Sequence, residues 1–352
     1  MYAMTIPIRN IYYLFCYAWG CFPEGSQIDV SGEEAPDFQN LLAKTLVRGT
    51  NHLLRRGLDR QYVEVGEDTK YPHGRIEFSE TVKRSLRRTG RVHCIVDELA
   101  PDLLHNQIIK TVIGRLKRVS TLEPELRREL GILHLQLEGI SEIRISKSDF
   151  RRVQLYSNYA FYRFLLHLCE LIFDSLLPLK GGTEYSFYNV MDDEDRMWRI
   201  FEKFVRNFYR YEQSDYRLGP RRIEWDVDTV SEQAKAILPA MENDIRLDRS
   251  GETILIDTKY YKDTLVSHHK RHILRPGHLY QIFTYVKNLA RCFRPDHILR
   301  GMLLYPAAGQ IIDATMSVQG HPIRVFTLNL DQDWQGIHND MLDLLSVNSS
   351  SV

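Results

Sequence analysis

The stretch Ser250-Gly251-Glu252-Thr253-Ile254-Leu255-Ile256-Asp257-Thr258-Lys259 decides how the second half of this 352-residue chain folds. A turn pair opens it, an uninterrupted apolar run follows, and a carboxylate closes it. That pattern predicts a strand inside a sheet, carrying Asp257 to the sheet's end. Twelve residues separate Asp257 from an earlier carboxylate, Asp244, in Pro239-Ala240-Met241-Glu242-Asn243-Asp244-Ile245. With Met241–Leu247 as a neighbouring strand, the two carboxylates can hold Mg²⁺, or Mn²⁺ in its place, as a hard cation wants oxygen ligands. Lys259 lies two residues past Asp257, so both side chains leave the strand on one face. There an ammonium can orient a water or stabilise charge on a phosphate, the needs of metal-assisted hydrolysis. Thr258 faces the other way and offers the metal at most its backbone carbonyl.

A D-x-K triplet alone is a weak signal, and the chain carries its own control. Asp68-Thr69-Lys70 repeats the tripeptide, but it runs into Tyr71-Pro72-His73-Gly74, which is turn chemistry, and no apolar strand precedes it. The first copy is therefore set aside.

Outward from Asp257 the order is a helix over 193–209, strands at 222–227, 241–247 and 253–257, a helix at 276–289, strands at 299–305 and 323–328, and a helix at 334–345. This is a small mixed sheet flanked by helices. On the helix after the site, Gln281 and Tyr285 stand at i, i+4 and share a face that can serve the site. Residues 261–300 hold eight Lys/Arg (Lys262, Lys270, Arg271, Arg275, Lys287, Arg291, Arg294, Arg300) against Asp263 and Asp296, and His268, His269, His272 and His278 add potential charge. A basic collar beside an acidic metal site suits a phosphodiester polyanion, although charge runs are also ordinary solvated faces. Glu202, between Phe201 and Phe204, reads as the outer face of an amphipathic helix, with an outer-sphere acid as the alternative.

The first half is mostly helical with some β-structure. Helices are predicted at 9–22, 37–56, 104–119, 123–130 and 157–177, and strands near Tyr62–Val65 and Arg91–Val96. Arg9 and Asn10 are the polar residues expected at a helix start. Gly181-Gly182 is the candidate boundary, giving domains 1–182 and 183–352. Lys83, Arg84, Arg87, Arg88 and Arg91 form a basic run, either a nucleic-acid or partner contact or a solvated face.

Lys+Arg and Asp+Glu both total 46, so the chain is no polycation, yet a neutral total can conceal a basic face. The five scattered cysteines lack a C-x-x-C pair, which argues for reduced thiols in a cytoplasmic protein and against a zinc knuckle or iron–sulfur cluster. Met1 to Arg9 lacks a signal-peptide layout, and no apolar stretch is long enough to span a membrane.

The spacing of Asp244, Asp257 and Lys259 resembles the PD-(D/E)xK nuclease superfamily, with Asn243 where the proline of the motif often stands. Gln281…Tyr285 is similar to the Q-x-x-x-Y helix of its exonuclease-like branch. Ile6-Pro7-Ile8-Arg9-Asn10-Ile11-Tyr12-Tyr13-Leu14, Gly74-Arg75-Ile76-Glu77-Phe78, Asn106-Gln107-Ile108-Ile109-Lys110 and Leu238-Pro239-Ala240-Met241 resemble the McrC family of modification-dependent restriction systems. The resemblance spans nearly the whole chain. It implies an α/β nuclease domain preceded by a docking domain, and a Mg²⁺-dependent endonuclease that cuts methylcytosine-bearing double-stranded DNA. It also implies a McrB-like AAA+ GTPase hexamer as partner, whose GTP hydrolysis the chain stimulates. Asp244, Asp257, Lys259, Gln281 and Tyr285 become catalytic residues, and Asp244, Asp257 and the Thr258 carbonyl metal ligands. The chain has no G-x-x-x-x-G-K-[ST] loop, so it should bind no nucleotide and any motor must act in trans. Two other functions stay open: a non-catalytic activator of the AAA+ ring with a degenerate nuclease fold, and a free-standing repair exonuclease. An iron–sulfur version of the exonuclease fails for want of cysteines, since only Cys292 follows Lys259.

Overall fold

The computed structural model describes residues 6–28, 37–156, 159–179, 184–260, 265–268, 271–307 and 311–346. Gly181-Gly182, Lys262, Asp263, His269, Lys270 and the serine-rich tail lie outside them, and only the backbone of His268, Arg271 and His272 is described. The chain forms two compact units, Met1–Ser26 with Asn189–Val352, and Gln27–Tyr188.

The first unit is built on a six-stranded sheet. The sheet and its main flanking helices are, in chain order, α1 (Ile8–Ala18), α2 (Glu194–Tyr211), β1 (Arg217–Leu218), β2 (Ile245–Arg249), β3 (Glu252–Thr258), α3 (Pro276–Ala290), β4 (Ile298–Pro306), β5 (Asp313–Val318), β6 (His321–Leu328) and α4 (Trp334–Asp343). The strand order is β5-β6-β4-β3-β2-β1, with β3–β4 and β4–β6 parallel and the other pairs antiparallel. All seven residues of β3 are buried, as expected of a central strand with an unbroken apolar run. The two-residue turn Ser250-Gly251 feeds it from β2, with Gly251 at φ +78°, a conformation glycine adopts without steric cost.

The division of the chain differs from the one expected at residue 182. Residues up to Ser26 belong with the C-terminal unit, because the apolar face of α1 covers the aromatic stripe of α2. The Tyr17 ring lies 5.8 Å from Phe204 and 5.5 Å from both Phe208 and Trp334. Asn10 is no solvated helix start either. It is fully buried and donates to the carbonyls of Leu330 and Gln332 at 2.8 and 2.7 Å, tying α1 to the segment before α4.

The strand expected over 241–247 is broken at Asn243-Asp244. Met241–Glu242 pairs with Arg222–Ile223, and β2 begins at Ile245. The edge strand β5 and the short helix Glu232–Ile237 have no counterpart among the expected elements, because neither carries an apolar period.

The second unit packs helices Phe38–Arg56, Leu104–Leu116, Pro124–Gln136 and Ala160–Ser175 around buried Leu46, Val112, Leu130 and Phe164. Asp37 caps the first, accepting from the Asn40 N–H at 2.8 Å. A three-stranded antiparallel sheet joins Gln61–Thr69 to Val92–Ala100 and Arg75–Ile76. The strand that leads into Asp68-Thr69-Lys70 contains the one expected near Tyr62–Val65, and none of its residues is buried, in keeping with the absence of an apolar strand before this copy. In the basic run, Lys83 and Arg84 pair with Glu80, while Arg87, Arg88 and Arg91 are exposed with no ion pair among the described residues.

Candidate active site

The antiparallel register of β2 and β3 places Ile245 opposite Ile256. Asp244 comes just before β2 and Asp257 is the next residue of β3, and the Asp244 carboxylate lies near enough to raise the Asp257 carboxyl. Asp244 Oδ2 accepts from both the backbone N–H and the hydroxyl of Thr258, each at 2.7 Å. A side chain thus replaces the backbone partner where the ladder ends, which is why the strand breaks at Asp244. The Thr258 side chain is turned to Asp244, correcting the expectation that it points away. Its carbonyl accepts from the Trp198 indole at 3.2 Å.

Asp257 is buried to 1% exposure. The Lys259 ammonium lies 2.8 Å from Asp257 Oδ2, on the shared face that strand alternation predicts. Its well-aligned hydrogen bond goes instead to Gln281 Oε1 at 2.9 Å, leaving Asp257 Oδ2 without an aligned donor. Gln281 passes the chain on, donating from Nε2 to the Tyr285 hydroxyl at 2.8 Å. Asp257, Lys259, Gln281 and Tyr285 therefore form one continuous polar line.

Two helices bring stripes of polar residues to the strand ends. On α3 the stripe is His278, Gln281 and Tyr285. Helix α3 sits close to β4 because Gly301 has no side chain: a Cβ there would come 3.0 Å from Ile282 and 3.1 Å from Val286. On α2 the stripe is Trp198, Glu202 and Arg206, at i, i+4, i+8. Arg206 donates to the Asp244 carbonyl at 3.3 Å. Glu202 is buried at 9% exposure and pairs with Arg221 at 2.7 Å, so it is not the outward-facing residue its aromatic neighbours suggested. The spacing carried a signal, since Trp198, Glu202 and Arg206 flank the apolar stripe as a second, polar one.

The electrostatics follow from burial. Loss of water, then the nearby Asp244 carboxylate, pushes the Asp257 carboxyl up to about 6 against the pull of Lys259. Burial and Asp244 also raise Glu202, and Arg221 opposes them. His278, whose Nδ1 lies 2.8 Å from the Tyr305 hydroxyl, is lowered to about 4, by burial first and then by Lys259 and Arg275. It is a neutral imidazole at pH 7. Asn243 is fully buried with neither side-chain polar atom hydrogen-bonded, which typically costs about 1–3 kcal/mol.

The donor set suits a hard divalent cation. Asp257 Oδ2 is buried without an aligned donor, and Asp244 Oδ1 takes no hydrogen bond among the described residues. Mg²⁺ needs no protein cage, keeping several waters around one or two carboxylates. Among the described residues no group of three or more His, Cys, Asp or Glu is placed to hold a metal ion.

The basic collar is thinner than its sequence. Arg300 turns inward, pairing with Glu252 and donating to the Leu345 carbonyl, at the opposite end of β3 from Asp257. Lys287, Arg291 and Arg294 are exposed, and Arg291 pairs with Asp226.

A family model described as "McrBC 5-methylcytosine restriction system component" matches residues 9–306. The chain is 30% identical over 342 residues to the Type IV methyl-directed restriction enzyme EcoKMcrBC of Escherichia coli K12, covering 97% of both chains. Among solved structures it is similar to a chain of a refined half-complex from a tetradecameric assembly of Thermococcus gammatolerans McrB AAA+ hexamers with bound McrC. That match has a TM-score of 0.64 at 16% identity, over 96% of this chain and 75% of the other. At that identity the likeness is one of fold. No helix among the described residues is long and apolar enough to cross a membrane.

Proposed function

The chain belongs to the McrBC 5-methylcytosine restriction system component family, and from that premise we propose that it is the DNA-cutting subunit of such a system. It hydrolyses phosphodiesters in modified double-stranded DNA when assembled with a McrB-like AAA+ GTPase hexamer, whose GTP hydrolysis it stimulates. One observation carries the reading: Asp244 and Asp257 meet at the ends of adjacent strands with the Lys259 ammonium 2.8 Å from Asp257. The matched relative is a methyl-directed restriction enzyme, and the matched assembly holds McrC on McrB hexamers. Both support modified DNA and an AAA+ ring as partners.

Asp244 and Asp257 would hold Mg²⁺, with the second lone pair of the Thr258 carbonyl at hand. Bound there, the ion would supply Lewis acidity to the phosphoryl group and lower the pKa of a water. The protein's own part is positioning and charge. Thr258 fixes Asp244 by two hydrogen bonds, and Trp198 fixes Thr258. Gln281, steadied by Tyr285, holds the Lys259 ammonium where negative charge grows in the transition state.

Asp257→Ala in the assembled complex tests the assignment. Cleavage of methylated plasmid should disappear while stimulated GTP hydrolysis persists. Persistent cleavage would remove Asp257 from the chemistry. A wild-type chain that stimulates GTP hydrolysis but never cuts would establish the activator reading instead.

A further inference from the structure

Arg221 takes no part in the cleavage chemistry above, yet it stands at the edge of the acidic cluster. Its guanidinium lies 2.7 Å from Glu202, and its carbonyl accepts from the Asn243 N–H at 2.9 Å, one residue from Asp244. The pair is lopsided: the Glu202 side chain is 11% exposed and that of Arg221 is 41% exposed. A guanidinium has five N–H donors in a planar fork, and among the described residues Glu202 is the one acceptor this one meets. The other cations at these strand ends are engaged inward, Lys259 on Gln281 and Asp257, and Arg206 on the Asp244 carbonyl.

We propose that Arg221 is a phosphate-gripping residue of the cleavage site, its open donors taking a non-bridging oxygen of a DNA backbone phosphate beside the cut. The fork geometry matches a phosphate better than any point charge. Glu202, 2.7 Å away, then aims the guanidinium. This inference rests on the cleavage reading above.

Single-turnover cleavage of methylated plasmid by the assembled complex, at rising Mg²⁺, separates contact from mere charge balance. Arg221→Gln should cut about 10- to 100-fold more slowly at saturating Mg²⁺, the range for losing a charged hydrogen bond. Its Mg²⁺ midpoint and stimulated GTP hydrolysis should be unchanged, the latter showing a folded, assembled chain. Arg221→Lys should recover only part of the rate. The double variant Glu202→Gln/Arg221→Gln, which leaves no uncompensated buried carboxylate, should cut no faster than Arg221→Gln. A wild-type rate in Arg221→Gln or Arg221→Lys overturns the proposal, as does a double variant faster than Arg221→Gln, because each makes Arg221 only a counter-charge for Glu202. A wild-type complex that does not cut overturns the cleavage reading itself.

Discussion

The chain contains the tripeptide Asp-Thr-Lys twice, and both copies sit at the same place in a strand. Asp68-Thr69 ends Gln61–Thr69, and Asp257-Thr258 ends β3, each with its lysine just beyond. What differs is the set of neighbouring residues. Asp68 faces His93, whose Nδ1 it meets at 2.6 Å, and Arg84 approaches at 3.5 Å. Asp257 has the Asp244 carboxylate near it. One carboxylate is a third exposed and bonded to His93 and Arg84, while the other is buried beside a second acid and Lys259. Identical local sequence thus gives a partly exposed, hydrogen-bonded carboxylate in one unit and a buried carboxylate beside a second acid in the other. The difference lies in the neighbouring residues and the burial.

The largest contrast expected is between the lysines. Lys259→Ala should slow cleavage about 10²–10³-fold, the usual cost of losing a charge-stabilising contact in the transition state, with DNA affinity of the assembled complex nearly intact. Lys70→Ala should leave the rate within about twofold. Equal rates for the two variants, measured in single turnover, would erase the distinction.

The carboxylates should differ in what they do to stability. Asp257 is raised from 3.8 to about 6 in the folded chain. Between those values the folded chain keeps a proton that the unfolded chain has lost. The group therefore favours folding most in acid, and that contribution declines as pH rises through the folded value. In EDTA at pH 8, Asp257→Asn should be more stable than wild type by roughly 1–3 kcal/mol, because each tenfold change in proton affinity is worth about 1.4 kcal/mol. The gain should vanish near pH 4. Asp68→Asn, which takes a carboxylate from His93, should show no such gain. Thermal melts across pH read both, and a destabilised Asp257→Asn at pH 8 would mean that Lys259 outweighs burial and Asp244.

A smaller effect is expected of Gln281, which accepts a hydrogen bond from Lys259. Gln281→Ala should cost about tenfold in rate or less, the worth of one hydrogen bond to a charged group. A loss as large as that of Lys259→Ala would give Gln281 a direct contact with DNA.

The sequence exposed the half of the site that lies along one strand. Asp257 closes an apolar run that can only be central, and period-two alternation puts Lys259 beside it. Gln281 and Tyr285 were readable because i, i+4 fixes a common helical face. What stayed hidden depends on contacts between distant segments. Glu202 and Arg206 share a helix with a far stronger aromatic stripe, and the apolar periodicity assigned everything off that stripe to solvent. Thr258 was placed by alternation, which does not reveal that Asp244 reaches across to accept from its N–H and hydroxyl. Arg300 reads as part of a basic surface, yet Glu252 at the start of β3 draws it inward. The N-terminal helix looked separable from the C-terminal half, because nothing local announces that Asn10 will bond carbonyls 320 residues away.

Asp244 and Asp257 are proposed to hold one divalent ion jointly. Calorimetric titration of Mn²⁺ into the metal-free full chain tests it most directly, with Asp244→Asn, Asp257→Asn and Asp68→Asn alongside wild type. Wild type and Asp68→Asn should bind with the modest affinity of a site that keeps several waters. Binding should be lost or weakened about tenfold or more in each of the other two. Wild-type binding in Asp244→Asn would contradict the claim and leave Asp257 without its partner.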